Sequence, residues 1–156
     1  MFGRRGKSEA PAAPKLPPFA ILSYDQMVWQ KGSFREAREI AKHYTGQSER
    51  PPSLAQLEAC VTAWQADRDS WPYPDGLINA VSYAFAEQLA RHAKLIWATT
   101  LERPDVVLLY ARIGRFFIDP LEAVSTRLKA GESGFITSLH ASMVADATSR
   151  NVAAKA

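Results

Sequence analysis

Residues 95–118 read LIWATTLERPDVVLLYARIGRFFI, and the fold class turns on this stretch. Leu95 to Thr100, Val106 to Arg112 and Arg115 to Ile118 are rich in branched and aromatic side chains, which suit a pleated, half-buried surface. Arg103-Pro104-Asp105 and then Gly114 separate them, and proline and glycine punctuate chains at turns. Runs this short do not sustain helices, so the stretch predicts three short antiparallel strands. Helical patterns lie on both sides. The expectation is an α+β fold, a small three-stranded antiparallel sheet packed against four or five helices.

Downstream, Asp119-Pro120-Leu121-Glu122 supplies a cap, a proline at the first helical position and an acid at the third. Leu121, Val124 and Leu128 form the inner stripe of that helix, and Gly131 closes it. Phe135, Ile136, Leu139, Met143 and Val144 recur at helical spacing in a last helix from about Ser133. Beyond Asp146 the composition turns to Ala, Ser, Asn and Lys, and residues 147–156 are expected to fray.

Upstream, Leu77, Ile78, Val81, Ala84, Phe85 and Leu89 share one face of a central helix from about Asp75 to Ala93, entered through the turn Trp71-Pro72-Tyr73-Pro74-Asp75-Gly76. Ser53-Leu54-Ala55-Gln56 is a capping box, and Leu54, Leu57, Val61 and Trp64 line the helix it starts. Ser33-Phe34-Arg35-Glu36 reads as another, followed by Phe34, Ala37, Ile40, Ala41 and Tyr44, with Gly46 as the stop. Gly32 then sets this helix apart from Phe19 to Trp29, a packed apolar entry segment of weakly helical character.

Length and composition fit one domain. The chain has 156 residues, 47% of them apolar and 22% charged, enough for a single core. Its net charge is +3. Arg4, Arg5, Lys7 and Lys15, against Glu9, carry all of it, so residues 1–17 read as a mobile, basic, Pro-rich leader before a neutral domain over 18–146. Pro11, Pro14 and Pro17 have polyproline II spacing, here read as an extended solubilising leader. A neutral body of interspersed signs offers no footprint for a phosphate backbone, and nucleic acid is not an expected partner. The leader alone could dock on a polyanion or membrane surface through Arg4, Arg5 and Lys7. No apolar core follows the N-terminal charges as in a secretory signal, and no run is of membrane length, so a cytoplasmic protein without a membrane span is expected. Cys60 is the single cysteine and reads as a small buried hydrophobe.

From about Leu77 to Glu132 the chain resembles the bacterial domain of unknown function 3806 family. The likeness rests on AFAEQLARHAKLIW and FIDPLEAVSTRLKAGE, through Phe85, Glu87, Leu89, Trp97, Pro120, Leu121, Val124, Ser125, Arg127, Leu128, Gly131 and Glu132. Asp119 stands where that family commonly has an aromatic or aliphatic residue, and the segment between Trp97 and Val106 is short. The resemblance implies a fold and no activity.

His43, His92 and His140 fall on three different predicted helices without a second metal-type ligand at i+3 or i+4; His92 suits a helix C-terminus. Gly131-Glu132-Ser133-Gly134 joins helix to helix and lacks the strand-turn-helix setting of a nucleophile elbow. No glycine-rich phosphate loop is present. Asp67 with Asp69, and Glu102 with Asp105, are acids near turns and read as solvated. Arg112, Arg115 and Arg127 flank the strands and the following helix and form the candidate interaction surface, an anion-binding rim. No catalytic residue, metal ligand or cofactor set emerges. The expectation is a non-catalytic protein-interaction or accessory domain that receives a protein partner at a sheet edge. The alternative is a small-ligand protein or enzyme whose site is assembled from residues distant in sequence.

Overall fold

Ser23, ten residues before the expected cap, starts the first helix. Its hydroxyl accepts from the Gln26 backbone N–H at 3.2 Å while Gln26 Oε1 accepts from the Ser23 N–H at 2.8 Å, a reciprocal capping box. Helix α1 then runs unbroken over Tyr24–Thr45, through Gly32, to Gly46 at φ +83°. The start expected at Ser33 is therefore corrected, and Ser33 lies buried inside the helix. The physical reason is a comparison of costs. A glycine in a helix interior costs about 1 kcal/mol, whereas ending and restarting the helix there orphans up to four carbonyls and four amides.

The computed structural model describes residues 17–155. Helix α2 (Leu54–Ala66) starts at the Ser53–Gln56 capping box read from the sequence. A single 3-10 turn at Arg68–Ser70 leads to α3 (Pro74–Ala93), whose first residue is the proline of the turn. Four strands follow the pattern β1 (Phe19–Ala20), β2 (Ile96–Thr100), β3 (Leu108–Ala111) and β4 (Phe116–Ile118). They form one antiparallel sheet in the order β1-β2-β3-β4, with Trp97 opposite Leu109 and Leu109 opposite Ile118. Helices α4 (Pro120–Lys129) and α5 (Ile136–Lys155) complete the chain.

Among the described residues the architecture is α+β, five helices with a small four-stranded antiparallel sheet. The sheet has one strand more than the three expected. Phe19 and Ala20 pair with Thr100 and Thr99, and the Phe19 ring lies 4.7 Å from that of Tyr110. Two residues carry no alternation to read, so only the pairing reveals this strand. Asp119 caps α4, accepting from the Glu122 N–H at 3.0 Å.

The second correction concerns 147–156, expected to fray and helical through Lys155. Ala147 is fully buried, Asn151 Oδ1 accepts from the Gly114 N–H at 2.9 Å, and the Arg150 guanidinium lies 3.8 Å from the centre of the Phe116 ring. Contacts with the β3–β4 turn thus hold a segment whose composition alone predicts little. The leader reading, with its basic charges and all of its prolines but Pro17, falls on residues 1–16, outside the described residues.

Helix α3 is central: it packs on α1, α4 and α5, with Leu77, Val81, Phe85 and Leu89 fully buried. Trp97 of β2 stacks on Tyr83 at 5.5 Å and meets Phe34 edge-on at 5.9 Å, which locks the sheet to α1 and α3. Among the described residues, no helix is long and apolar enough to cross a membrane.

Candidate functional site

Starting α1 at Ser23 places Tyr24 to Trp29, the second half of the apolar entry segment, on a helix, and corrects the expectation that it packs: Leu22 is buried, but the large apolar side chains of the helical part face water. Tyr24, Met27, Val28 and Trp29 are 76%, 41%, 52% and 58% exposed. The C-terminal half of the same helix buries Ala37, Ile40 and Ala41. The two halves thus treat apolar side chains in opposite ways, and single exposed hydrophobes are ordinary where a run of them is not.

Beside this run lies a groove of about 490 Å³ between α1 and the first turn of α3. Val28, Trp29 and Gly32 line it from α1, one helical stripe, and Gly76 and Asn79 from α3. Gly32 leaves it open, since a Cβ there would meet nothing within 4 Å. Gly76 allows a close approach: a Cβ would come within 2.6 Å of Glu36 Oε1, whose carboxylate thereby sits over the start of α3. A carboxylate is favoured there by the partial positive charge of a helix N-terminus.

A second groove of about 340 Å³ shares Trp29 and Asn79 with the first, so the indole stands between them. Asp25, Glu36 and Asp75 line the first groove, and Asp105, Asp119 and Glu122 the second. Among the described residues, no lysine, arginine or histidine lines either. Trp29 thus stands at the junction of two grooves whose charged lining residues are carboxylates.

Arg112 and Arg115 share the exposed β3–β4 turn, with Arg115 at φ +55°. Arg127 pairs with Glu132 at 3.6 Å and lies 5.7 Å from the Phe135 ring. Among the described residues, no hydrogen bond or ion pair joins Arg127 to the other two. Asp67 accepts from the Asp69 N–H at 3.2 Å and caps the 3-10 turn. Glu102 is exposed and Asp105 borders the second groove. Gly131-Glu132-Ser133-Gly134 links α4 to α5, with both glycines at positive φ.

Cys60 is fully buried, and burial pushes its thiol up to about 11, so it stays protonated and poorly nucleophilic near neutrality. His43 packs edge-on against Tyr44 and Trp71. His92 and His140 meet across α3 and α5, Nδ1 to Nε2 at 2.9 Å, one donating and one accepting. Burial holds His140 below its ordinary value; a backbone hydrogen bond at Gln88 opposes this and the charge of His92 adds to it. Among the described residues, no three His, Cys, Asp or Glu side chains group closely enough to hold a metal ion.

Sequence reasoning missed the Trp29 face and the histidine pair. The face had a readable signal in Ser23-x-x-Gln26, a third capping-box pattern that puts Tyr24 to Trp29 on a helix with Tyr24 and Val28 as neighbours. The pair had none, because 48 residues separate its members. No family model matches the chain, and no match is found among curated proteins or solved structures.

Proposed function

We propose that the chain is a non-catalytic protein-interaction domain that receives its partner on the Trp29 face. The carrying observation is the run Tyr24, Met27, Val28 and Trp29, exposed on a helix whose other half is core. Partially exposed tryptophan and tyrosine are the side chains that most often anchor protein interfaces. The carboxylates on either side favour a partner segment with an apolar anchor flanked by lysine or arginine, since charge complementarity steers encounter and rejects like-charged competitors. A sheet edge supports the reading less well, because the edge strands β1 and β4 have only two and three residues and offer few backbone groups for strand addition. The resemblance to the domain of unknown function 3806 family brings a fold expectation and no activity to weigh against this.

Native mass measurement of complexes extracted gently from the source cell tests the proposal. The wild-type chain is expected in a defined hetero-complex that Trp29→Ala dissolves while its thermal midpoint stays within a degree or two, because a side chain this exposed contributes little to the core. A solitary wild-type chain, or a complex indifferent to Trp29→Ala, counts against it.

A second reading rests on the size of the first groove, about 490 Å³, which falls in the range of small-ligand pockets. A thermal-shift screen against metabolites separates the two. Stabilisation by several degrees with one metabolite class, abolished by Gly32→Gln, supports a ligand site there.

A further inference from the structure

We propose that Arg38, Arg50 and Arg91 form a binding site for a phosphate monoester, away from the Trp29 face. The three arginines come from α1, the α1–α2 connection and α3, and line one pocket of about 150 Å³. Phe34, Pro51 and Pro52 give it an apolar wall, and Glu87 is its single acid among the described residues. Three guanidinium groups and one carboxylate leave a charge of +2 on the lining, the complement of a phosphate monoester dianion.

The one acid is already committed. Glu87 Oε1 accepts from Arg91 Nε at 3.0 Å and Oε2 accepts from Trp97 Nε1 at 2.9 Å. Arg91 is thereby oriented through its Nε, and its terminal nitrogens make no hydrogen bond or ion pair among the described residues. Neither Arg38 nor Arg50 enters an ion pair among them. The guanidinium fork presents parallel donors that match phosphate oxygens, so three of them around one pocket answer a tetrahedral oxyanion better than a planar carboxylate.

The walls are held in place. Phe34 meets Trp97 at 5.9 Å and Tyr83 at 6.4 Å, edge-on in both cases. Gln88 Nε2 donates to the Pro52 carbonyl at 2.8 Å, and Gln56 Oε1 accepts from the Glu49 N–H at 3.2 Å, which ties down the connection carrying Arg50. Fixed walls reduce the ordering cost of binding. The pocket suits a phosphoryl group, with a short or flat ester substituent against Phe34 and the prolines.

Nuclear magnetic resonance titration of the ¹⁵N-labelled full chain with phenyl phosphate, and separately with inorganic phosphate, tests this at low salt and pH 7.5. Saturable shifts are expected at the amides of Phe34, Arg38 and Arg50 and at Arg91 Nε, tighter for phenyl phosphate. Arg50→Gln, a change of an exposed side chain, and Arg38→Gln are each expected to weaken binding at least about tenfold, the worth of a charge-assisted hydrogen bond. Arg112→Gln, in the distant turn, is expected to leave it unchanged. Absent or non-saturating shifts, equal loss in Arg112→Gln, or retention in the Arg38→Gln/Arg50→Gln double variant overturns the site. Equal affinity for the two probes overturns the monoester assignment.

Discussion

Two residues show most directly how the interior is specified. A Cβ at Gly114 would lie 2.6 Å from Cδ1 of Phe116 and 2.8 Å from Oδ1 of Asn151, and that ring also carries Arg150. Gly114→Ala must therefore displace both the β4 ring and the α5 contact, and we expect a loss of about 1–3 kcal/mol, the usual cost of overpacking, read as a lower urea midpoint. His140 gives a pH dependence. Its ordinary value is 6.5 and the folded chain holds it lower, chiefly by burial. As pH falls below about 6.5 the unfolded chain takes up a proton that the folded one refuses, so the histidine's share of stability is intact above that pH and is lost on the way down through the depressed value. Urea midpoints at pH 7.5 and 5.5 are expected to differ more for the wild type than for His140→Gln. An equal or smaller difference contradicts the burial argument.

At the scale of elements, the caps separate what the sequence states from what it leaves open. Asp119-Pro120, Ser53 with Gln56, and the apolar stripe of α3 are local patterns, and each sits where its residues predict. The start of α1 was ambiguous because Ser23 and Ser33 both head the serine-x-x-Glu/Gln pattern, and Gly32 lent weight to the wrong one. The two starts predict different mutants. Ser23→Ala is expected to cost about 1 kcal/mol as a lost cap, Ser33→Ala less than about 0.5 kcal/mol, and Gly32→Ala to gain about 1 kcal/mol, since its Cβ enters open space. A larger loss at Ser33 than at Ser23 in equilibrium unfolding contradicts a continuous α1. Strand β1 and the end of α5 were illegible for another reason. Both are stabilised by partners far along the chain, Thr99 and Thr100 for one and Gly114 and Phe116 for the other, and local propensity carries no trace of such contacts.

For the whole molecule, the same distinction governs the functional surfaces. The arginines that drew notice in the sequence are those near the strands, yet Arg112 and Arg115 occupy an open turn and Arg127 is engaged with Glu132 and Phe135. Those that converge on one pocket, Arg38, Arg50 and Arg91, meet only because α1 packs on α3. The carboxylates around Trp29 likewise come from α1, the start of α3, the β2–β3 connection and the start of α4, and no motif could announce them. Charge that averages out along the chain is sorted into separate faces by folding, which is why net charge alone says so little about partners.

The central claim is that α1 presents its N-terminal half to a protein partner, and site-specific photo-crosslinking in the source cell tests it most directly. With a photoreactive phenylalanine analogue at Val28, and the same residue at Arg112 as control, the account predicts one discrete adduct from position 28, suppressed by Trp29→Ala, and none from position 112. An adduct from position 112 with none from position 28 contradicts it.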